Sequence, residues 1–177
     1  MKTYAGIDLR SSNNFIGILD EQGQRLFGKR LPNDLDSVLT NLEPYKTELE
    51  AVVVESTYNW YWLVDGLEEA GYNVSLANPA AMKQYEGLKY TDDKSDSFFL
   101  AQQKLLGLLK EGYIYPKAVR PVRDLLRRRL LFVRHSTSHL LSLQSMITRN
   151  LGIRISGSKI KILKKRTSNG CLTRIRW

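Results

Sequence analysis

The sequence predicts an α/β fold in which a mixed sheet carries helices on its faces and is followed by a long basic helix. Three observations predict it. Short β-branched and apolar runs alternate with helical periodicity over the first hundred residues, in the order three strands, helix, strand, helix, strand, helix. Charge is divided along the chain: residues 1–111 carry 11 basic and 17 acidic side chains, whereas residues 112–177 carry 16 basic and one acidic, Asp124. Beyond Gly112 apolar positions recur by steps of four and three, the pattern of a helix that buries a stripe.

The elements follow in order. Residues 3–8 end in Gly6-Ile7-Asp8 and read as a buried strand, and Asn14 to Asp20 as its hairpin partner. Glu21-Gln22-Gly23 supplies the turn, and residues 24–30 the third strand. A helix is expected after Pro32, with Asp34 or Asp36 as N-cap and Val38, Leu39 and Leu42 on its inner face. Ala51–Glu55 is apolar on successive residues, as in a strand covered on both faces. A helix over 59–71 places Trp62, Leu63, Leu67 and Ala70 at helical spacing and stops at Gly71. Asn73–Ala77 is the fifth strand, closed by Asn78-Pro79. A third helix is expected from Asp93 onward.

That succession matches the ribonuclease H-like fold, a mixed sheet with an antiparallel hairpin at one edge. It predicts three regions: a ribonuclease H-like domain over 1–112, a basic coiled-coil-like helical region over 113–152, and a basic, weakly structured tail over 153–177. In the second region Leu126, Leu130, Val133, Thr137, Leu140, Gln144, Ile147 and Leu151 form a heptad seam, which predicts a homo-oligomer. Arg120, Arg123, Arg127 and Arg134 form a separate stripe beside it. Lys161, Lys164, Lys165 and Arg166 continue the positive charge into the tail. With so few acidic partners nearby, these cations point to a polyanion, most simply nucleic acid. The plainer reading is a solvated helix face.

Four acids carry the chemistry. Asp8 and Glu55 end strands that this fold makes parallel neighbours, at the sheet edge where open α/β sheets keep their sites. Asp93 and Asp96 stand three apart, on one helix face and roughly 5–6 Å from each other. Carboxylates so gathered suit a pair of divalent cations about 4 Å apart, Mg²⁺ or Mn²⁺, for phosphodiester chemistry. Each acid also has a structural role open to it: Asp8 as a turn cap with Ser11 or Ser12, Glu55 as a helix cap, Asp93 and Asp96 at a helix N-terminus. Asp92 competes with Asp93, and the D-x-x-D spacing to Asp96 selects Asp93. Tyr58, Trp60, Tyr61 and Trp62 cluster after Glu55, part core and part available to stack on nucleobases.

Other chemistry is poorly supplied. A single cysteine, Cys171, makes no intrachain disulfide and fits a reducing cytoplasm. His135 and His139 have helical i,i+4 spacing but no acid beside them to complete a metal site. No apolar run is long enough to span a bilayer, and the start lacks a signal-peptide core.

The Gly6-Ile7-Asp8 strand, Val52-Val53-Val54-Glu55, Asn78-Pro79, the helix start Thr91-Asp92-Asp93-Lys94-Ser95-Asp96 with Leu100-Ala101, and Leu126-Leu130 with its arginines resemble the N-terminal half of the DEDD transposases. These are RuvC-like insertion-sequence recombinases that include the Piv-type invertases, and the resemblance covers roughly residues 1–150. It implies that Asp8, Glu55, Asp93 and Asp96 are the catalytic, metal-binding tetrad, and that DNA and a guide RNA are partners. Asp96-Ser97 departs from the family's more usual Asp-Ala. The family carries a second, C-terminal domain with a serine nucleophile, whereas this sequence stops at Trp177. The expectation is therefore a chain that binds Mg²⁺ and nucleic acid without completing strand exchange. Three alternatives remain: a stand-alone Holliday-junction resolvase, a non-catalytic nucleic-acid-binding remnant, and a sugar-kinase or actin-like ATPase fragment, which shares the Gly-Ile-Asp opening.

Overall fold

The computed structural model describes residues 1–56, 59–82 and 93–160, Asp93 through its backbone only. It divides into two units, Met1–Ile114 and Tyr115–Trp177.

The first unit is built on five strands: β1 (Thr3–Leu9), β2 (Asn13–Asp20), β3 (Arg25–Pro32), β4 (Leu49–Glu55) and β5 (Val74–Ala77). They lie in the order β3-β2-β1-β4-β5. β2 runs antiparallel to both β1 and β3, while β1, β4 and β5 are parallel. This is the strand order and direction of the ribonuclease H-like fold, as the succession of elements predicted.

Local chemistry explains the connections. The amides of Gln22 and Gln24 both donate to Asp20 Oδ1, at 2.9 and 2.8 Å, and close the β2–β3 hairpin. Helix α1 (Leu35–Leu42) is capped by Asp34, whose Oδ2 accepts from the Ser37 amide at 2.8 Å. Of the two caps considered, Asp34 serves, and Asp36 lies in the first turn. Helix α2 (Tyr61–Glu69) links β4 to β5, and helix α3 (Asp93–Leu105) follows later in the chain.

Alternation along each strand assigns the two faces of the sheet. Ala5, Ile7 and Leu9 of β1, Ile16 and Ile18 of β2, and Val52 and Val54 of β4 form one core with Val38 and Leu42 of α1 and Leu63, Val64 and Leu67 of α2. The opposite face packs on α3: Val53 and Ala77 meet Leu100, and Leu19 meets Phe98 and Ala101. Residues Ala51 to Val54 are buried on both faces, as their unbroken apolar run predicted. Each fully buried branched side chain of this kind contributes about 1.5–3 kcal/mol. The charged, exposed β3 blunts its edge of the sheet.

α3 can lie close because of a row of glycines. Gly6 pairs with Gly17, and Gly17 with Gly28, so three strands present bare backbone side by side. A Cβ at Gly6 would collide with the Ser97 carbonyl, and one at Gly17 would stand 2.8 Å from Phe98 Cδ1 and from Ser97 Oγ.

The second unit is dominated by α4 (Arg120–Leu151), with Pro121 in its first turn as expected and Gly152 closing it in the left-handed conformation. Along the heptad seam Leu126, Leu130, Val133, Thr137 and Leu151 are exposed, whereas Leu140, Gln144 and Ile147 are half-buried. Gln144 Nε2 donates to the Ile155 carbonyl at 2.8 Å. Within the region expected to be weakly structured, residues 157–160 form a helical turn that buries Ile160.

Candidate active site

Register decides which acids meet. Ile7 of β1 is level with Val54 of parallel β4, so Asp8 and Glu55 are the next residues along at the C-terminal edge. Both follow the alternation onto the α3 face, the face that Gly6 and Val53 share. The first turn of α3 then carries Asp96 over this edge, because Ser97 rests on the glycine row.

Asp8 is 5 % exposed. Burial, which disfavours its charged form, pushes its pKa above the ordinary carboxylate value. Arg10 opposes that shift, through a hydrogen bond from Nε to Asp8 Oδ2 at 3.1 Å and through its charge. The negative charge of Asp96 raises the pKa further, and a hydrogen bond with Glu55 lowers it. Burial outweighs the guanidinium. Asp8 thus interacts with both Glu55 and Asp96. The Arg10 side chain bridges two of them, with Nη2 lying 3.8 Å from Asp96 Oδ2.

Asp93 opens α3, and its side chain lies outside the described residues, as do Asp92, Tyr58, Lys161, Lys164, Lys165 and Arg166. Among the described residues, no three potential ligands are drawn into a ready-made metal cage. The donor set nevertheless suits a hard divalent cation: carboxylate oxygens alone, one of them on a buried residue, with a cationic side chain between two of the acids. A small divalent ion fits that chemistry; a soft metal does not.

Of the aromatic residues after Glu55, Trp60 is core, and Tyr61 and Trp62 pack against it half-buried. Trp60 and Tyr61 meet edge to face at 4.5 Å. The cluster's first described role is thus structural.

In the second unit the four arginines divide. Arg120 is buried, and its Nε donates to the Tyr115 carbonyl at 2.6 Å. Arg123 lies over the Tyr115 ring at 4.6 Å and reaches Asp124 at 3.2 Å. Arg127 and Arg134 are exposed. His135 and His139 are exposed too. No helix among the described residues is long and apolar enough to cross a membrane.

Sequence reasoning missed Arg10 and the glycine row. A signal existed for each. Arg10 stands two residues after Asp8, and therefore on its side of the strand direction, and the three glycines recur every eleven residues through a hairpin pair.

A family model described as Transposase, for DEDD transposases of the IS110 kind, matches residues 5–150. No curated protein matches the chain. Among solved structures, T. thermophilus RuvC in complex with Holliday junction substrate is similar over 63% of this chain and 100% of that one, at 18% sequence identity and a TM-score of 0.47.

Proposed function

This chain belongs to the DEDD transposase family, whose model spans residues 5–150, and from that membership we propose that it binds DNA and hydrolyses or transfers phosphodiester bonds with divalent metal. The observation that carries the reading is the meeting of Asp8, Glu55 and Asp96 at one sheet edge, with Asp8 buried and electrostatically tied to both partners.

Asp8, Glu55 and Asp96, with Asp93 as the fourth acid, would hold Mg²⁺ or Mn²⁺. When bound, the ions supply Lewis-acid polarisation of the scissile phosphate and neutralise its developing charge. The chain's own contribution is position. β1 and β4 would fix two carboxylates in neighbouring rows, α3 would add Asp96 from a helix set tightly on the glycines, and burial of Asp8 would keep water from solvating the negative charge. Arg123, Arg127 and Arg134, with Lys161, Lys164, Lys165 and Arg166, would bind the phosphate backbone without reading sequence. Arg120 would hold the 115–120 turn rather than touch DNA. A guide RNA is a further proposed partner, and the exposed Leu126, Leu130 and Val133 support self-association through α4.

The test is DNA cleavage in Mg²⁺ or Mn²⁺ by the purified chain and its Asp8→Asn variant, on linear duplex and four-way junctions. Metal-dependent cleavage of either substrate that Asp8→Asn abolishes, with circular dichroism unchanged, supports the reading. Cleavage retained by Asp8→Asn contradicts it.

A further inference from the structure

The acidic edge carries its own cation. Arg10 Nε donates to Asp8 Oδ2 at 3.1 Å, and Nη2 lies 3.8 Å from Asp96 Oδ2. One guanidinium therefore spans an acid of β1 and an acid of α3. It stands where charge neutralisation of these two groups is needed. We propose that Arg10 is a placeholder cation: it neutralises the carboxylates before metal arrives, competes with divalent cation for them, and swings outward when metal enters. This rests on the reading of Asp8, Glu55 and Asp96 as metal ligands.

Three features argue for exchange rather than a permanent ion pair. The first is relative freedom: the Arg10 side chain is 49% exposed, against 6% for Asp8 and 17% for Asp96, so the cation can leave toward solvent and the acids cannot follow. The second is the anchor. Arg10's amide donates to the Asn13 carbonyl at 3.0 Å, and its own carbonyl accepts from Asn33 Nδ2 at 2.7 Å. The backbone is held on both sides, so the side chain moves by rotation about a fixed backbone. The third is charge. Asp8 and Asp96 carry two negative charges when ionised, and the one guanidinium between them supplies a single positive charge. A divalent ion completes the neutralisation, so its entry displaces the weaker counterion.

The experiment measures Mn²⁺ binding by calorimetry, and melting temperature in EDTA, for the unmodified chain and for Arg10→Ala, Arg10→Gln and Asp8→Asn. Removing the competitor is expected to tighten Mn²⁺ binding about tenfold, the scale of one charge-assisted hydrogen bond that metal entry no longer breaks. It is also expected to lower the melting temperature in EDTA, with saturating Mn²⁺ closing the gap. Asp8→Asn is expected to lose Mn²⁺ binding. Arginine side-chain NMR of the unmodified chain needs no folded variant beyond the one used for assignment: the Arg10 Nε–H resonance should lose its exchange protection as Mg²⁺ saturates. Mn²⁺ binding that is lost in Asp8→Asn, but is unchanged or weaker in Arg10→Ala and Arg10→Gln, would keep the metal site and overturn the placeholder. Protection of Arg10 Nε–H that persists at saturating Mg²⁺ overturns it too. Absence of Mn²⁺ binding in every form overturns both.

Discussion

The Cα of Gly6 faces the backbone carbonyl of Ser97, so closely that a Cβ on Gly6 would overlap that oxygen. Ser97 follows Asp96, and Gly6 precedes Asp8 by two residues. The contact that brings α3 down on the sheet is thus the one that sets the distance between two of the candidate acids.

Gly6→Ala should be the most damaging single methyl in the first unit. The obstructing atom is backbone and cannot rotate away, so α3 must shift; the cost is at or above the roughly 1–3 kcal/mol typical of overpacking. Gly17→Ala meets side-chain atoms of Phe98 and Ser97, which can move, and should cost less. Urea denaturation of both variants checks the order. Equal losses would show that helix approach is not limited at Gly6.

Alkali offers a separate test of packing. Tyr72 is buried, and its hydroxyl donates to Glu43 Oε2 at 3.4 Å. Burial chiefly, with the nearby Glu43 charge, raises its pKa from 10.0 to about 12. A raised folded pKa means that the contribution is whole below pH 10 and is lost as pH climbs through 12. After solvent screening the loss should be on the order of 1 kcal/mol, and Tyr72→Phe should remove it. Chemical denaturation between pH 9 and 12 reads the difference, and parallel curves for the two proteins would contradict it.

The arginines of α4 should separate by role. Arg127→Ala and Arg134→Ala should each lower the slope of log affinity for duplex DNA against log salt by about one, across unrelated sequences. Arg120→Ala should instead lower the melting temperature, because Arg120 is buried against the Tyr115 carbonyl. Fluorescence anisotropy at several salt concentrations, with a melt for each variant, distinguishes the two effects.

The fold was legible where chemistry is local. Asp34 before an apolar-periodic stretch, the turn at residues 21–23 and the unbroken Val52-Val53-Val54 run each dictate an element through neighbours in sequence, and the strand order follows from them. Asp8 and Glu55 could be paired for the same reason, since Glu55 ends β4 and Asp8 stands one residue from the end of β1. What stayed hidden depends on partners distant in the chain. The glycine row exists only once register aligns residues eleven apart, and the ion pair of Arg10 with Asp96 needs α3 seated on it. Arg120 looked like one more exposed cation in a basic stripe, because nothing in helical periodicity reveals the preceding turn folding under it. Residues 157–160 form a helical turn through long-range support, with Gly157 against Leu140 and Ile155 bonded to Gln144.

The central claim is that the acids at the β1–β4 edge share a divalent ion, and Fe²⁺-directed cleavage of the polypeptide tests it most directly. Fe²⁺ substituted into the site, with ascorbate and peroxide, generates radicals that cut backbone near the metal. The expected result is a set of cuts beside Asp8, Glu55 and Asp96, suppressed by excess Mg²⁺ and absent in Asp8→Asn. Cuts confined to the exposed His135 and His139 region, or a pattern that Mg²⁺ leaves unchanged, would contradict the account.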